Sequence, residues 1–197
     1  MEAKTTKNKA RDKIISTACE LFYRQGYLAT GINQITTEAG VAKNTFYYYF
    51  PSKDALCVTY LQEMGRNWGR LLKEKINKYK TPYDRLFAPI EFIKEWNQKN
   101  NYRGCPFLNI VSEITDPDTD IRREVIYNRN SLRKIIGELI EELKNSDDKY
   151  LDIDVSTLTD KYYLIIEGVN IASQNYGQDW PFKIAHNSVE ENLLTIR

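Results

Sequence analysis

Apolar residues recur every three or four positions along nearly the whole chain, and runs that alternate every second residue are missing. That period is helical. Ile14, Ile15, Ala18, Leu21 and Phe22 form the first stripe and predict a helix from about Asn8 to Gln25. Gly26 stops it, as glycine does at a helix C-terminus. A short helix is predicted over 32–39, entered past Thr30 and stopped by Gly40, and another over 43–50, closed by Pro51. Ser52 reads as the N-cap of a long helix from Lys53 to about Tyr79. Pro82 opens a helix to about Lys99, and Pro106 one that ends near Thr115, before the turn Asp116-Pro117-Asp118. Ile121, Val125, Leu132, Ile136, Leu139 and Leu143 mark a long seventh helix. Residues 145–154 read as a polar linker, the most flexible part of the body. Leu158, Tyr162, Ile165, Val169 and Ala172 mark an eighth helix. Phe182, Ala185, Val189, Leu193 and Ile196 mark a ninth, starting near Asp179-Trp180-Pro181. The fold class is all-α.

The two short helices are joined by Ala39-Gly40-Val41-Ala42, the geometry of a helix-turn-helix. The second of them reads KNTFYYYF. At 100° per residue Phe46 and Phe50 share one face, which packs inward, and Tyr49 lies at the border. Lys43 and Tyr47 share another face, with Asn44 and Tyr48 beside them. Lys and Asn hydrogen-bond guanine and adenine edges. Tyrosine rings meet thymine methyls, and their hydroxyls reach phosphate. A solvated amphipathic helix with surplus tyrosines is the competing reading. Charge favours the first. Residues 1–53 hold 8 Lys+Arg against 4 Asp+Glu, a net of +4, whereas the remainder holds 20 against 23, a net of −3. One basic end suits a polyanion.

Composition narrows the rest. With 197 residues, 42% of them hydrophobic, the chain can bury a sizeable core, and a net charge of +1 with 12% aromatics argues against disorder. No run of about 18 apolar residues spans a membrane, and the polar, Lys-rich start lacks a signal-peptide core. Cys19, Cys57 and Cys105 are scattered, with no CxxC pair, so neither zinc nor a disulfide framework is expected and a reducing cytoplasm is. The single histidine, His186, pairs with no legible nucleophile, and no phosphate-binding glycine pattern occurs. No cofactor, metal or catalytic residue is expected. A helical enzyme using a C-terminal pocket and a DNA-free interaction module are the alternatives from other classes.

The stretch TGINQITTEAGVAKNTFYYYFPSKDAL, from Thr30 to Leu56, resembles the signature of the TetR family of bacterial transcriptional repressors. Thr30, Ile35, Ala39, Gly40, Val41, Thr45, Tyr47, Phe50, Ser52, Lys53 and Leu56 match it. ACELFYRQGY, from Ala18, is similar to the family's first helix and the turn after it. Ala42 departs from a usual Ser and Asn44 from a common Gly. The resemblance implies a DNA-binding domain over 1–51 and a regulatory, ligand-binding and dimerisation domain over 52–197. It implies a homodimeric repressor released from a double-stranded operator when a small-molecule inducer binds and moves the helix that begins at Lys53. Lys43, Asn44 and Tyr47 are the implied base readers, and Thr30, Thr45, Tyr48 and Lys53 the implied phosphate contacts.

A second resemblance covers RGCPFLNIVSEITDPDTDIR, from Arg103 to Arg122. Gly104, Cys105, Asn109, Glu113, Asp116 and Pro117 are similar to a subgroup of the family, and Pro106 departs from it. In some members such a cysteine senses electrophiles or oxidants, which makes a thiol switch at Cys105 an alternative mechanism. Arg103 and a helix start beside Cys105 favour a reactive thiolate. Trp68, Phe92, Trp96, Cys105, Phe107, Tyr127 and Tyr163 are the candidate pocket residues. Glu91, Glu113 and Glu167 are acidic groups able to select a cationic ligand. The family's four-helix dimer interface implies contacts at Tyr162, Ile165, Val169, Val189 and Leu193, with Gly168 allowing close approach.

Overall fold

The computed structural model describes residues 2–194, with side chains from 9 to 193. Among these residues there are nine α-helices and no strand: α1 Glu2–Gln25, α2 Ile32–Glu38, α3 Lys43–Tyr49, α4 Lys53–Ile76, α5 Pro82–Lys99, α6 Pro106–Glu113, α7 Asp120–Lys144, α8 Val155–Tyr176 and α9 Trp180–Leu194. Every predicted helix is present, with ends that differ by a few residues. Ile196 lies outside the described residues. α4 stops at Ile76 because the next amides tighten into a turn, Lys78 bonding to Lys75 O and Tyr79 to Ile76 O, both at 3.1 Å.

The helices form two compact units. One holds residues up to 66 together with 106–127, the other 67–105 together with 128 onward. The expected division between residues 51 and 52 falls inside the first unit.

The first unit closes on Ile14, Ala18, Leu21, Phe22, Ile35, Phe46, Leu56 and Tyr60, all fully buried. Phe22 meets Tyr60 edge-on at 5.6 Å and Tyr27 at 5.5 Å. Helix ends follow from local chemistry. Gly40 takes φ +63° after α2. There Gly40 N bonds to Thr37 O and Val41 N to Thr36 O, the paired bonds of a Schellman end, which turn the chain toward α3. Ser52 Oγ accepts Ala55 N at 3.0 Å and starts α4, as the sequence predicts.

The second unit packs α5, α8 and α9 against one another. Thr81 caps α5 by accepting Asp84 N at 3.1 Å, and Pro82 occupies its first turn, where a missing N–H costs nothing. Tyr162, fully buried on α8, donates its hydroxyl to Leu86 O at 2.6 Å.

Residues 145–154 are not a loose linker. Asp147 accepts Lys149 N at 3.1 Å and caps a single 3-10 turn over Asp148–Tyr150. Lys144 Nζ donates to Ile153 O at 2.9 Å, and Ile153 is 1% exposed. One apolar side chain late in the polar run pins the segment to the body. Ile153→Ala is therefore expected to cost about 2–5 kcal/mol in urea unfolding, the range for a buried isoleucine truncation. A cost within about 0.5 kcal/mol, typical of a solvated segment, would contradict this.

Candidate nucleic-acid interface

α3 is seven residues long and is held by two of its side chains. Phe46 and Phe50 are 0% and 3% exposed, with ring centroids 5.9 Å apart. On the other side Lys43 and Asn44 are exposed, and Tyr47 and Tyr48 are 47% and 66% exposed. The side chains of Lys43 and Asn44 make no hydrogen bond or ion pair among the described residues. Tyr47 stands edge-on to Phe46 at 5.3 Å, and Tyr48 edge-on to Tyr49 at 4.9 Å, so both exposed rings are braced by a neighbour. Thr45 and Tyr49 are half-buried. Ala42 and Gly31, the N-caps of α3 and α2, offer no side-chain bond to the first amides of their helices.

Thr30 and Lys53, expected to touch phosphate, face the protein instead. Thr30 is fully buried. Its hydroxyl donates to Gly26 O at 2.6 Å and accepts from Gln25 Nε2 at 3.2 Å. Lys53 Nζ donates to Tyr27 O at 3.0 Å and Thr30 O at 3.1 Å, and lies 4.1 Å from the centroid of the Tyr27 ring. The cause is the turn between α1 and α2. Its carbonyls lack helical partners, and an ammonium and a hydroxyl supply them. The phosphate role read for Thr30 is corrected by its burial, and Lys53 is first of all a clamp on this turn. Tyr27 completes the clamp by donating its hydroxyl to Asp54 Oδ1 at 2.5 Å. Burial, then the Asp54 carboxylate, pushes this phenol far above its ordinary range.

A basic head, a Schellman turn and a short helix with one sealed and one open face make a helix-turn-helix. The family model for bacterial regulatory proteins of the tetR family matches residues 14–58, and the model for the tetracyclin repressor-like C-terminal domain matches residues 82–189. The chain belongs to the TetR family of bacterial regulatory proteins. It is 32% identical over 145 residues to an uncharacterized HTH-type transcriptional regulator in the lacX 3' region of Lactococcus lactis, covering 73% of this chain and 74% of that one. It is 25% identical over 149 residues to the HTH-type transcriptional repressor NemR of Escherichia coli, covering 75% and 73%. Among solved structures, SCO4454, a TetR-family transcriptional regulator from Streptomyces coelicolor, superposes with a TM-score of 0.85 at 25% identity, over 95% of this chain and 90% of that one. This chain is thus a helix-turn-helix transcriptional regulator of the TetR family.

In this TetR-family chain the predicted pocket residues separate into groups. Trp68 stands edge-on to Phe92 at 5.2 Å and to Trp96 at 5.0 Å. Phe92 and Trp96 also border a cleft of about 200 Å³ between α4 and α5, rimmed by Lys75, Lys78, Glu95 and Lys99. Phe107 is buried in the first unit. Tyr127, read as a pocket residue, is 68% exposed within the single chain.

Cys105 is fully buried beside a group the sequence did not single out. The Arg129 guanidinium bonds Glu167 Oε1 at 3.2 Å. Burial disfavours its charge, but Cys105, Glu167 and Tyr163 more than offset that and hold its pKa above the ordinary value. Tyr163 is itself pushed up to about 12, by burial first and then by Glu167. Arg129 is thus a cation grouped with this thiol. Nothing local in the sequence marks it, since residues 105 and 129 lie on different elements.

Of the predicted dimer residues, Ile165 and Val169 line a groove between α8 and α9, while Tyr162, Val189 and Leu193 pack within the single chain. Tyr162 points at α5, and Val169, Val189 and Leu193 are between 1% and 8% exposed within the single chain. A charge at any of them would break the fold before it reported on assembly. The open apolar positions are Leu164, Ile171, Tyr176, Trp180 and Ile184. The groove between α8 and α9, of about 230 Å³, is lined by Ile165, Gly168, Val169, Ala172, Trp180 and Ile184, among others.

The clamp on the α1–α2 turn has a direct check. Lys53→Met keeps the stem and removes the donors, and it is expected to lower unfolding stability by about 1–3 kcal/mol, the range for hydrogen bonds to a charged group. An unchanged urea midpoint would return Lys53 to a purely DNA-facing role.

Proposed function

We propose that this protein is a dimeric, cytoplasmic repressor that reads its operator through α3 and leaves it when a small molecule binds the C-terminal domain. The observation that carries the reading is the division of α3. Phe46 and Phe50 are sealed, while Lys43, Asn44, Tyr47 and Tyr48 stay outside. Lys43 and Asn44 offer donors to base edges, Tyr47 offers a ring face to thymine methyls, and Thr45 and Tyr48 offer hydroxyls to phosphate. The head is taken as residues 1–51. The open apolar face of α8 and α9 supports pairing with a second copy, because a patch of this kind on a monomer calls for a cover. No helix of the described residues is long and apolar enough to cross a membrane.

Truncating Lys43 or Tyr47 to Ala is expected to cost about 1–3 kcal/mol at the operator and to relax its base preference. Lys43→Ala should also reduce the slope of log affinity against log salt by about 1 if the ammonium displaces a counterion. Electrophoretic-mobility or anisotropy titrations measure both. Unchanged affinity and preference in both variants would rule out α3 as the reader.

A second reading, a thiol switch, is favoured by the Arg129 cation grouped with Cys105. The other two thiols are poor candidates. Burial, then Glu63, pushes Cys19 up to about 11, and burial, then Asp54, pushes Cys57 higher still. In this mode the Cys105 thiolate adds to an activated alkene, and the bulk it gains displaces its neighbours. N-ethylmaleimide is then expected to release wild type from the operator and to leave Cys105→Ser bound. Equal release of both would leave a non-covalent pocket ligand as the effector.

A further inference from the structure

α6 is two turns long and follows Cys105 directly in the chain. Its last residue is Glu113, a candidate from the sequence for selecting a cationic ligand. The structure gives it another partner. Glu113 Oε1 accepts the Tyr27 N–H at 3.2 Å, and Oε2 accepts the Leu28 N–H at 2.6 Å. Both bonds span some 85 residues of sequence, from α6 to the turn between α1 and α2. Each amide sits just past the end of α1 and has no backbone acceptor among the described residues. A carboxylate with two oxygens matches two successive amides, and such charge-assisted bonds are the stronger kind.

Gly26 makes the approach possible. A Cβ built there would lie 2.6 Å from Glu113 Oε1, and its φ of +98° is one that only glycine adopts freely. The same turn is gripped from α4, where Lys53 holds the carbonyls of Tyr27 and Thr30, and Asp54 holds the Tyr27 hydroxyl. Two of the turn's carbonyls are thus held from one helix and two of its amides from another. It leads into α2 through Thr30, and Gln25 bridges from α1 to Thr30 Oγ1 at 3.2 Å and Gln34 Oε1 at 2.8 Å. α2 in turn carries α3.

We propose that Glu113 is a positioning residue for DNA recognition: its carboxylate holds the α1–α2 turn, and with it α2 and α3, in the setting that fits the operator. This rests on the regulator reading above and names a contact that sets the head for its operator. In this role Glu113 acts through the turn it holds. Its loss should spare binding to DNA of any sequence, which depends on surface cations, and should weaken only the sequence-selective part.

The experiment uses the full chain, an operator duplex selected by wild type from random DNA, and a non-operator duplex of equal length. Three variants are compared. Glu113→Ala removes both acceptors. Glu113→Gln keeps the volume and one acceptor oxygen. Gly26→Ala pushes the carboxylate away from the turn side. The readouts are hydrogen exchange at the Tyr27 and Leu28 amides, the urea midpoint, and affinity for each duplex. The expected result is faster exchange at those two amides and a loss of operator affinity on the order of tenfold for Glu113→Ala, about what one lost charge-assisted bond confers. Glu113→Gln should fall between it and wild type. Non-operator affinity should be unchanged in both, and Gly26→Ala should resemble Glu113→Ala. Faster exchange with undiminished operator affinity would overturn the proposal and leave Glu113 a structural cap. A parallel fall in the affinities for both duplexes, tracking the urea midpoint, would overturn it as well. If Glu113→Ala does not fold, the Gln variant decides on the same criteria. If wild type selects no sequence at all, the regulator reading itself fails, and the positioning role with it.

Discussion

A seven-residue helix cannot sustain itself in water, because nucleating the first turn costs more than so few hydrogen bonds return. α3 exists because Phe46 and Phe50 are locked into the core of the first unit. The rest of the interface depends on that. With two positions fixed inward, the angular positions of Lys43, Asn44, Tyr47 and Tyr48 are no longer free, and these side chains are presented as a rigid set. Tyrosine suits such a surface. It brings area and a hydroxyl at the cost of few rotatable bonds, and here each exposed ring leans on a neighbouring ring.

The same dependence extends one step back. α2 and α3 are placed by the turn after α1, and that turn is secured by Lys53 and Asp54 on one side and Glu113 on the other. A protein that must both grip DNA and let go needs such a junction. It must be held by several polar bonds that are individually strong yet separable, rather than by a continuous apolar core. Polar bonds of this kind have a sharp distance dependence, so a small shift of a helix end removes them. The apolar core beneath, from Ile14 to Tyr60, is fully buried.

Much of the fold was legible along the chain because its punctuation is local. Gly26, Gly40, Pro51, Ser52, Pro82 and Pro106 each act within a turn of where they stand, and the helical period fills the spans between them. α3 was legible for the same reason: two phenylalanines four apart define its buried face, and everything else follows by rotation. What could not be read depends on contacts distant in sequence. Thr30 and Lys53 match a DNA-binding signature, but whether a hydroxyl or an ammonium faces solvent is decided by which carbonyls the turn leaves open. Glu113 satisfies amides some 85 positions earlier, and Arg129 joins Cys105 from another helix. In the same way Tyr162, Val189 and Leu193 belong to a helical stripe that suits a dimer seam and a monomer core equally well. Ile153 anchors a segment that composition alone marks as loose.

In the proposed function two copies of α3, each held by its two phenylalanines, read one operator. Selection of bound duplexes from a random DNA library by the full chain tests it most directly. The account predicts an enriched palindrome whose half-sites are centred about one helical turn, or a whole multiple of it, apart, since two symmetric heads must meet the same groove face. Enrichment of a single unrepeated element, or of no sequence at all, would contradict it.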